Sequence, residues 1–295
     1  MNKKKRAFVD SVLGCVILTI LMFLSWMFLS GPFTLILGDL ADSNPDVYTI
    51  LRYATSIYQI IPCVLFMLIY KPDRSLFTLV VPGKGNTVKN ALIGLALGFG
   101  INGACALVAL ISGDIHLCYN QPNWFYIILA FFAVLLQSGS EEFICRLFLY
   151  QHLIRGYNNK PWIAIVLPSL IFSALHLANP GTDAISVLDT LVIGIVWALM
   201  IYCYDSFWMA WMHHAAWNYM QSILFGLPNS GMTFSLSVFK LDAASAVKSF
   251  SYDPIYGIEA SAMAFILDSA LLVVLLCFAV RKYKSERTVT ENTQQ

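Results

Sequence analysis

Eight mostly apolar runs, separated by short polar connections, set the terms on which this chain can fold: 9–30, 48–70, 90–112, 124–144, 161–178, 185–204, 207–225 and 258–280. A bilayer crossing needs about 20 such residues. Backbone groups inside lipid must be satisfied within the segment or in a closed barrel, which leaves helices for runs of this length. The expectation is an all-α polytopic membrane protein with about eight transmembrane helices, forming one transmembrane domain over residues 1–295. Charged residues make up 12% of the chain, half the roughly 25% of a soluble domain. The fifth to seventh runs are short for spans. The connections (SNPD, YKPDR, YNQPN, YNNKP, ANPGTD, CYDS, GLPNSG, SYDPIYG) carry Pro, Gly, Asn and Asp, the residues of turns and breaks.

Charge sets an orientation. The lysines and arginines at 3–6, 71–89, 155–160 and 281–287 fall on one side of an eight-span path, and only Arg52, Lys240 and Lys248 fall on the other. The positive-inside rule then places both termini in the cytoplasm of a multi-pass cell-membrane protein. The first run is too long for a signal-peptide core and no small-residue cleavage site follows it, so it reads as a retained helix. A net charge of +1 argues against nucleic acid as a partner. Seven scattered cysteines without a C-x-x-C pair read as small buried apolar residues. SLFTLVVPGKGNTVKN reads as an interfacial or re-entrant element. The connection Gly226–Tyr256 is long enough to be functional or mobile, and the polar tail 285–295 has nothing to bury and reads as disordered.

Ionisable groups inside spans cost at least ~2.5 kcal/mol each on insertion scales, yet three runs carry them. Glu141 and Glu142 stand in FFAVLLQSGSEEFICRLFLY with Arg146 one turn later; His176 ends WIAIVLPSLIFSALH, with Phe172 one turn before; His214 lies in FWMAWMHHAAWNYM, with Asn218 one turn after. Adjacent helical residues point about 100° apart, so the two glutamates are assigned separate roles. Glu142 precedes Arg146 by four residues, the favourable order for an ion pair. That leaves Glu141 as the free carboxylate, with no obvious partner in its own helix, and a Glu tuned toward neutral pH can act as a general base.

Glu141 lies 14 residues before Arg155 and His176 lies 15 after Pro161, so at ~1.5 Å per residue both stand roughly 21–23 Å from the hairpin tip. They come level if the two helices are antiparallel neighbours. His214, about 10 Å into its helix by the same rise, joins them if that hairpin projects toward the cytoplasm, giving a water-filled cavity below the cytoplasmic surface. In such a site Glu141 with His176 polarises a water for attack on a carbonyl, and His214 with Asn218 donates hydrogen bonds to the developing oxyanion.

E-E-x-x-x-R, then F-x-x-x-H, then H-x-x-x-N on successive membrane helices resembles the CAAX prenyl endopeptidase and bacteriocin-processing family of glutamic intramembrane proteases, also called the Abi family. The matching core runs over about 124–220. Leu147 stands where that family often has Gly after the motif Arg. The resemblance implies metal-independent hydrolysis without a cofactor, with Glu141 and His176 activating water and His214 and Asn218 forming the oxyanion site. Glu142, Arg146 and Phe172 would support the site. The implied partner is a peptide or protein substrate in or at the lipid bilayer.

Plainer readings stand beside these. Glu142–Arg146 explains itself as a structural pair, Phe172 as packing beneath His176, and Trp208, Trp211 and Trp217 as an interfacial belt. His213 competes with His214 for the motif position, and His116 and His152 read as solvated. Two other functions are open. One is a zinc-dependent membrane hydrolase with Glu141, His176 and His214 as ligands, which lacks an H-E-x-x-H. The other is a transporter or immunity protein using the buried charges as a proton relay.

Overall fold

The computed structural model describes residues 7–157 and 160–293; the basic residues 3–6 counted for orientation lie outside these. The helices follow in chain order as α1 (Val12–Ser43), α2 (Pro45–Ala54), α3 (Ile57–Ile69), α4 (Val88–Ile111), α5 (Trp124–Glu142), α6 (Tyr150–Gly156), α7 (Pro161–Leu175), α8 (Ala184–Tyr204), α9 (Phe207–Asn218) and α10 (Ala262–Thr293). Two strands, β1 (Leu117–Tyr119) and β2 (Phe239–Leu241), pair antiparallel with Cys118 opposite Lys240.

Among the described residues, seven helical stretches are long and apolar enough to cross a membrane: Val12–Ser43, Pro45–Ile69, Val88–Ile111, Trp124–Gly156, Pro161–Ala178, Ala184–Tyr204 and Ala262–Glu286. The chain is an all-α polytopic membrane protein. The remaining expected run is helical too, as α9 continued by π-helical Tyr219–Leu224, but it carries two histidines, Asn218 and Gln221 and falls short on apolarity. Pro32, Pro62 and Pro168 sit inside α1, α3 and α7, which membrane helices tolerate where neighbours satisfy the freed backbone.

Boundaries follow local chemistry. Thr87 caps α4 through the Asn90 amide, Asp183 and Ser186 form a reciprocal capping box on α8, and Ser206 caps α9. α8 ends at Asp205 in the left-handed region, φ 51°. The SNPD break is a single residue, Asn44, between α1 and α2. The element between α3 and α4 is a 3-10 helix, Lys71–Leu79, followed by a Gly83–Asn86 bridge. The polar tail expected to be disordered continues α10 as far as Thr293; extending an existing helix costs far less than nucleating a new one.

α9 packs directly on α4. A Cβ on Gly94 would stand 2.2 Å from the Met209 carbonyl oxygen, and one on Gly98 2.4 Å from that of His213. Glycines let the two backbones approach as small residues do between membrane helices, and this seats the helix that carries His214. At the end of the bundle holding the chain termini, Trp208 Nε1 donates to the Val80 carbonyl and its backbone N–H to Asn86 Oδ1. At the other end the Gly226–Tyr256 connection folds inward, with Tyr252 and Tyr256 fully buried.

Candidate active site

α5 does not stop at Glu142. It passes into a π-helical stretch, Phe143–Leu149, and then into α6. Wider turns of this kind recur at functional sites, and here the change falls directly after the two glutamates.

Glu142 and Arg146 are both 0% exposed and pair at 3.1 Å. The Arg146 guanidinium also donates to the Gly194 carbonyl at 3.0 Å and lies over the rings of Phe172 and Trp197, 4.8 and 5.0 Å from their centroids. Phe172 therefore packs against the ion pair as well as the His176 ring, 4.5 Å away. The structural pair expected from the i,i+4 spacing is present, but Glu142 does more: its Oε1 also meets His214 Nδ1 at 3.0 Å. The other ring nitrogen of His214 stands 3.6 Å from Glu141 Oε2. Adjacent glutamates expected to serve separate roles thus approach one imidazole from its two sides, and Trp197 stacks on that ring at 4.1 Å.

Glu141 is the accessible member, its side chain 22% exposed. The expectation that nothing in its own helix relieves it does not hold: Gln137, one turn earlier, donates to Glu141 Oε1 at 2.7 Å. Gln137 Oε1 in turn accepts from Asn218 Nδ2 at 3.0 Å, and Asn218 Nδ2 also reaches Ser138 Oγ at 3.3 Å. Asn218 Oδ1 accepts from Asn229 Nδ2 at 3.2 Å. Both Asn218 amide hydrogens are therefore engaged.

His176 ends α7 and bonds through Nδ1 to the Phe172 carbonyl at 2.8 Å. A carbonyl can only accept, so Nδ1 carries the proton, which leaves Nε2 as the basic nitrogen when the ring is neutral. No hydrogen bond joins His176 to Glu141 among the described residues. The two line one cavity of about 340 Å³ together with His214, Asn218 and Phe172. His213 is distinguished from His214: fully buried, it accepts from Trp197 Nε1 at 3.0 Å.

The cavity is lined at several levels of the bundle, with Thr19, Met22, Phe23 and Trp26 of α1 on one side. Its walls include Asn229, Ser230, Met232 and Phe234 from the long connection, with Asn179 after α7 and Arg52 on α2. These belong to the end opposite the termini. The end of α6 is held by two other segments of the chain. His152, expected in solvent, is 0% exposed between Asp10 Oδ1 at 2.8 Å and Asp73 Oδ2 at 3.0 Å. Arg155 reaches the same two aspartates. The 71–86 element and the N-terminal turn close that end.

Residues 122–220 match a family model, Rce1-like, described as type II CAAX prenyl endopeptidase Rce1-like. The match supports the CAAX prenyl endopeptidase relationship for this chain. It covers α5 through α9 and every motif residue named above, a third of the sequence. No curated protein and no solved structure matches. Three contributors lay outside the sequence argument. Gln137 had a usable signal, its i,i+4 spacing to Glu141. Trp197 and Asn229 had none, since an apolar run and a loop supply their contacts across the fold. Among the described residues, no group of three or more His, Cys, Asp or Glu side chains is placed to share a metal ion.

Proposed function

We propose that the chain is an intramembrane endopeptidase that hydrolyses a peptide bond with a water activated by Glu141 and His176, without a metal ion. The observation that carries this reading is the cavity. Glu141 faces it with one oxygen held by Gln137 and the other directed toward His214, while His176 reaches it with a free Nε2. The family match over 122–220 supports the reaction class.

In the proposed cycle, Glu141 takes a proton from water as its oxygen attacks the scissile carbonyl, with His176 Nε2 accepting a hydrogen bond from the same water. The His214 ring, oriented by Glu142 and Trp197, holds one proton on Nδ1 against the Glu142 carboxylate and, when it carries a second on Nε2, donates that one to the oxyanion that forms. Asn218 can add a second donor once the longer of its bonds, to Ser138, is released. As the tetrahedral intermediate collapses, the C–N bond breaks and Glu141 returns its proton to the leaving amine. Glu142, itself held by Arg146, keeps a carboxylate oxygen behind His214.

The substrate on this reading is a peptide or protein in or at the bilayer. With both termini in the cytoplasm, as the charge asymmetry supports, the long connection and the cavity walls it supplies lie toward the outer half of the membrane. The deciding experiment is cleavage by the full-length protein in liposomes. Glu141→Gln should lower the rate about 10²–10⁴-fold, as loss of a general base does, while leaving the fold intact. Near-wild-type cleavage by this variant would remove Glu141 from the mechanism. Silencing by chelators with recovery on added zinc would replace the metal-free reading with a zinc hydrolase.

A further inference from the structure

Asp189 on α8, Asp268 on α10 and Glu259 in the turn Ile258–Ala260 line the same cavity as the catalytic candidates. None takes part in the mechanism above. Asp268 is 0% exposed and both its carboxylate oxygens lack a hydrogen-bond partner among the described residues; Asp189, 1% exposed, leaves Oδ1 unpartnered. Glu259 accepts from Gln221 Nε2 at 2.6 Å. Among the described residues no Lys, Arg or His forms an ion pair with any of the three. Arg52 lines the cavity but pairs with none of them.

A buried carboxyl without a partner forfeits the hydrogen bonds it had in water. Ionisable residues kept inside a membrane domain line substrate paths or pair with a charge. Here three stand on one wall of a cavity that a peptide must enter for the proposed reaction to occur. A compact metal ion needs oxygen ligands gathered at roughly 2.0–2.6 Å, and no such grouping exists among the described residues. An ammonium with three donors or a guanidinium with five can span a wider set of acceptors. Lysine and arginine carry that group at the end of a long apolar stem, suited to reach a buried acid from a backbone held elsewhere.

We propose that this acidic wall is a specificity pocket for a basic side chain of the peptide substrate, at a fixed position beside the scissile bond. This rests on the peptidase reading above. The catalytic end would hold the backbone and Asp189, Asp268 and Glu259 would hold the charge.

The test uses the full-length protein in liposomes and paired peptides that differ only in Lys against norleucine at each position near the cut. Wild type should cleave the Lys member about 10-fold faster or more at one position, the scale of a hydrogen bond to a charged group. The ratio should fall toward unity in Asp268→Asn, and in Asp189→Asn if the first variant does not fold. A ratio near unity in wild type, or one kept in the folded variants, would overturn the pocket. A parallel arm measures binding of the same labelled peptides to Glu141→Gln. Preference for the Lys peptide there, lost in Glu141→Gln/Asp268→Asn, supports the pocket even if no peptide is cut, a result that would count against the peptidase reading alone. Equal binding of both peptides overturns it. So does stabilisation of wild type, but not Asp268→Asn, by sodium, magnesium or zinc salts alone, which would make the occupant an inorganic cation.

Discussion

Two clusters in this molecule hold nearly the same chemical parts. In one, His214 lies between Glu141 and Glu142 with Arg146 behind; in the other, His152 lies between Asp10 and Asp73 with Arg155 behind. The second is closed. His152 and Asp73 are 0% exposed, both ring nitrogens meet carboxylates within 3.0 Å, and neither residue lines the cavity around Glu141. It fastens the N-terminal turn, the 71–79 element and α6 to one another. The first differs at Glu141, which faces a cavity and stands 3.6 Å from the imidazole rather than in tight contact. An imidazole between carboxylates is thus a motif of assembly as readily as of catalysis. Access to substrate and an incompletely paired acid separate the two.

The loss of activity in Glu141→Gln is the largest effect expected. The next breaks the support behind it. Arg146→Met leaves Glu142 buried without its cation, which costs about 3–5 kcal/mol for a buried pair. Glu142→Gln should cost a similar amount and also release His214. The double variant should recover part of the stability of Arg146→Met without recovering cleavage, because His214 then lacks its anchor. Thermal unfolding and cleavage measured on the same preparations check this. Full activity in the double variant would return Glu142 to a purely structural role.

In the closed cluster the order of effects should reverse. Asp73→Asn removes a charge partner of both His152 and Arg155, with an expected loss of about 3 kcal/mol. Cleavage per folded molecule should stay near wild type, since the cluster stands at the end of the bundle remote from the cavity. A fall in cleavage with unchanged unfolding would show that this cluster communicates with the site.

A third acidic region, the Glu259 wall, forms no ion pair among the described residues, and its response to pH should differ from both. Burial pushes the Glu259 carboxyl from 4.5 up to about 7. The folded protein then binds more protons than the unfolded chain between those values, so stability is full below about 4.5 and declines as pH rises through 7. At ~1.4 kcal/mol per unit the decline is at most roughly 3 kcal/mol. Glu259→Gln should flatten the slope in unfolding measured from pH 4.5 to 8. A wild-type profile without decline would show that Glu259 is ionised in the fold.

These contrasts show where sequence reading had force. The helical runs, the Glu142–Arg146 pair and the three motif helices are local patterns, set by spacing along one chain segment, and each appears as expected. The pairing of His214 with both glutamates depends on α5 and α9 meeting, 72 residues apart in sequence for the Glu142 contact. Asn229, Ser230, Met232 and Phe234 of the long connection join the cavity wall, a contribution that no spacing along α5, α7 or α9 reveals. The 71–86 element, whose position no spacing reveals, fills the termini end. The burial of His152 is illegible in sequence for the same reason: its partners, Asp10 and Asp73, come from two distant segments. Gln137 alone among the missed residues could have been found by the i,i+4 rule already applied to Arg146.

The smallest effect tests the comparison at its exposed limit. Lys248 stands between two carboxylates, Asp183 Oδ2 at 3.0 Å and Asp253 Oδ2 at 2.8 Å, so it shares the charge pattern of the buried clusters. Its side chain is 61% exposed. Water and salt screen such a pair, which is worth about 0–1 kcal/mol. Its position still matters, because Asp183 caps α8 and Asp253 accepts the Ile255 and Tyr256 amides. The lysine therefore straps the connection that carries Asn229 to the start of α8. Lys248→Met should leave global unfolding within about 1 kcal/mol of wild type. It should speed hydrogen exchange in 226–256 and change cleavage only a few-fold, with wild type moving toward the variant as salt is raised. A loss of stability as large as that of Asp73→Asn would mean that exposure does not separate these clusters, and that the strap is part of the folded core.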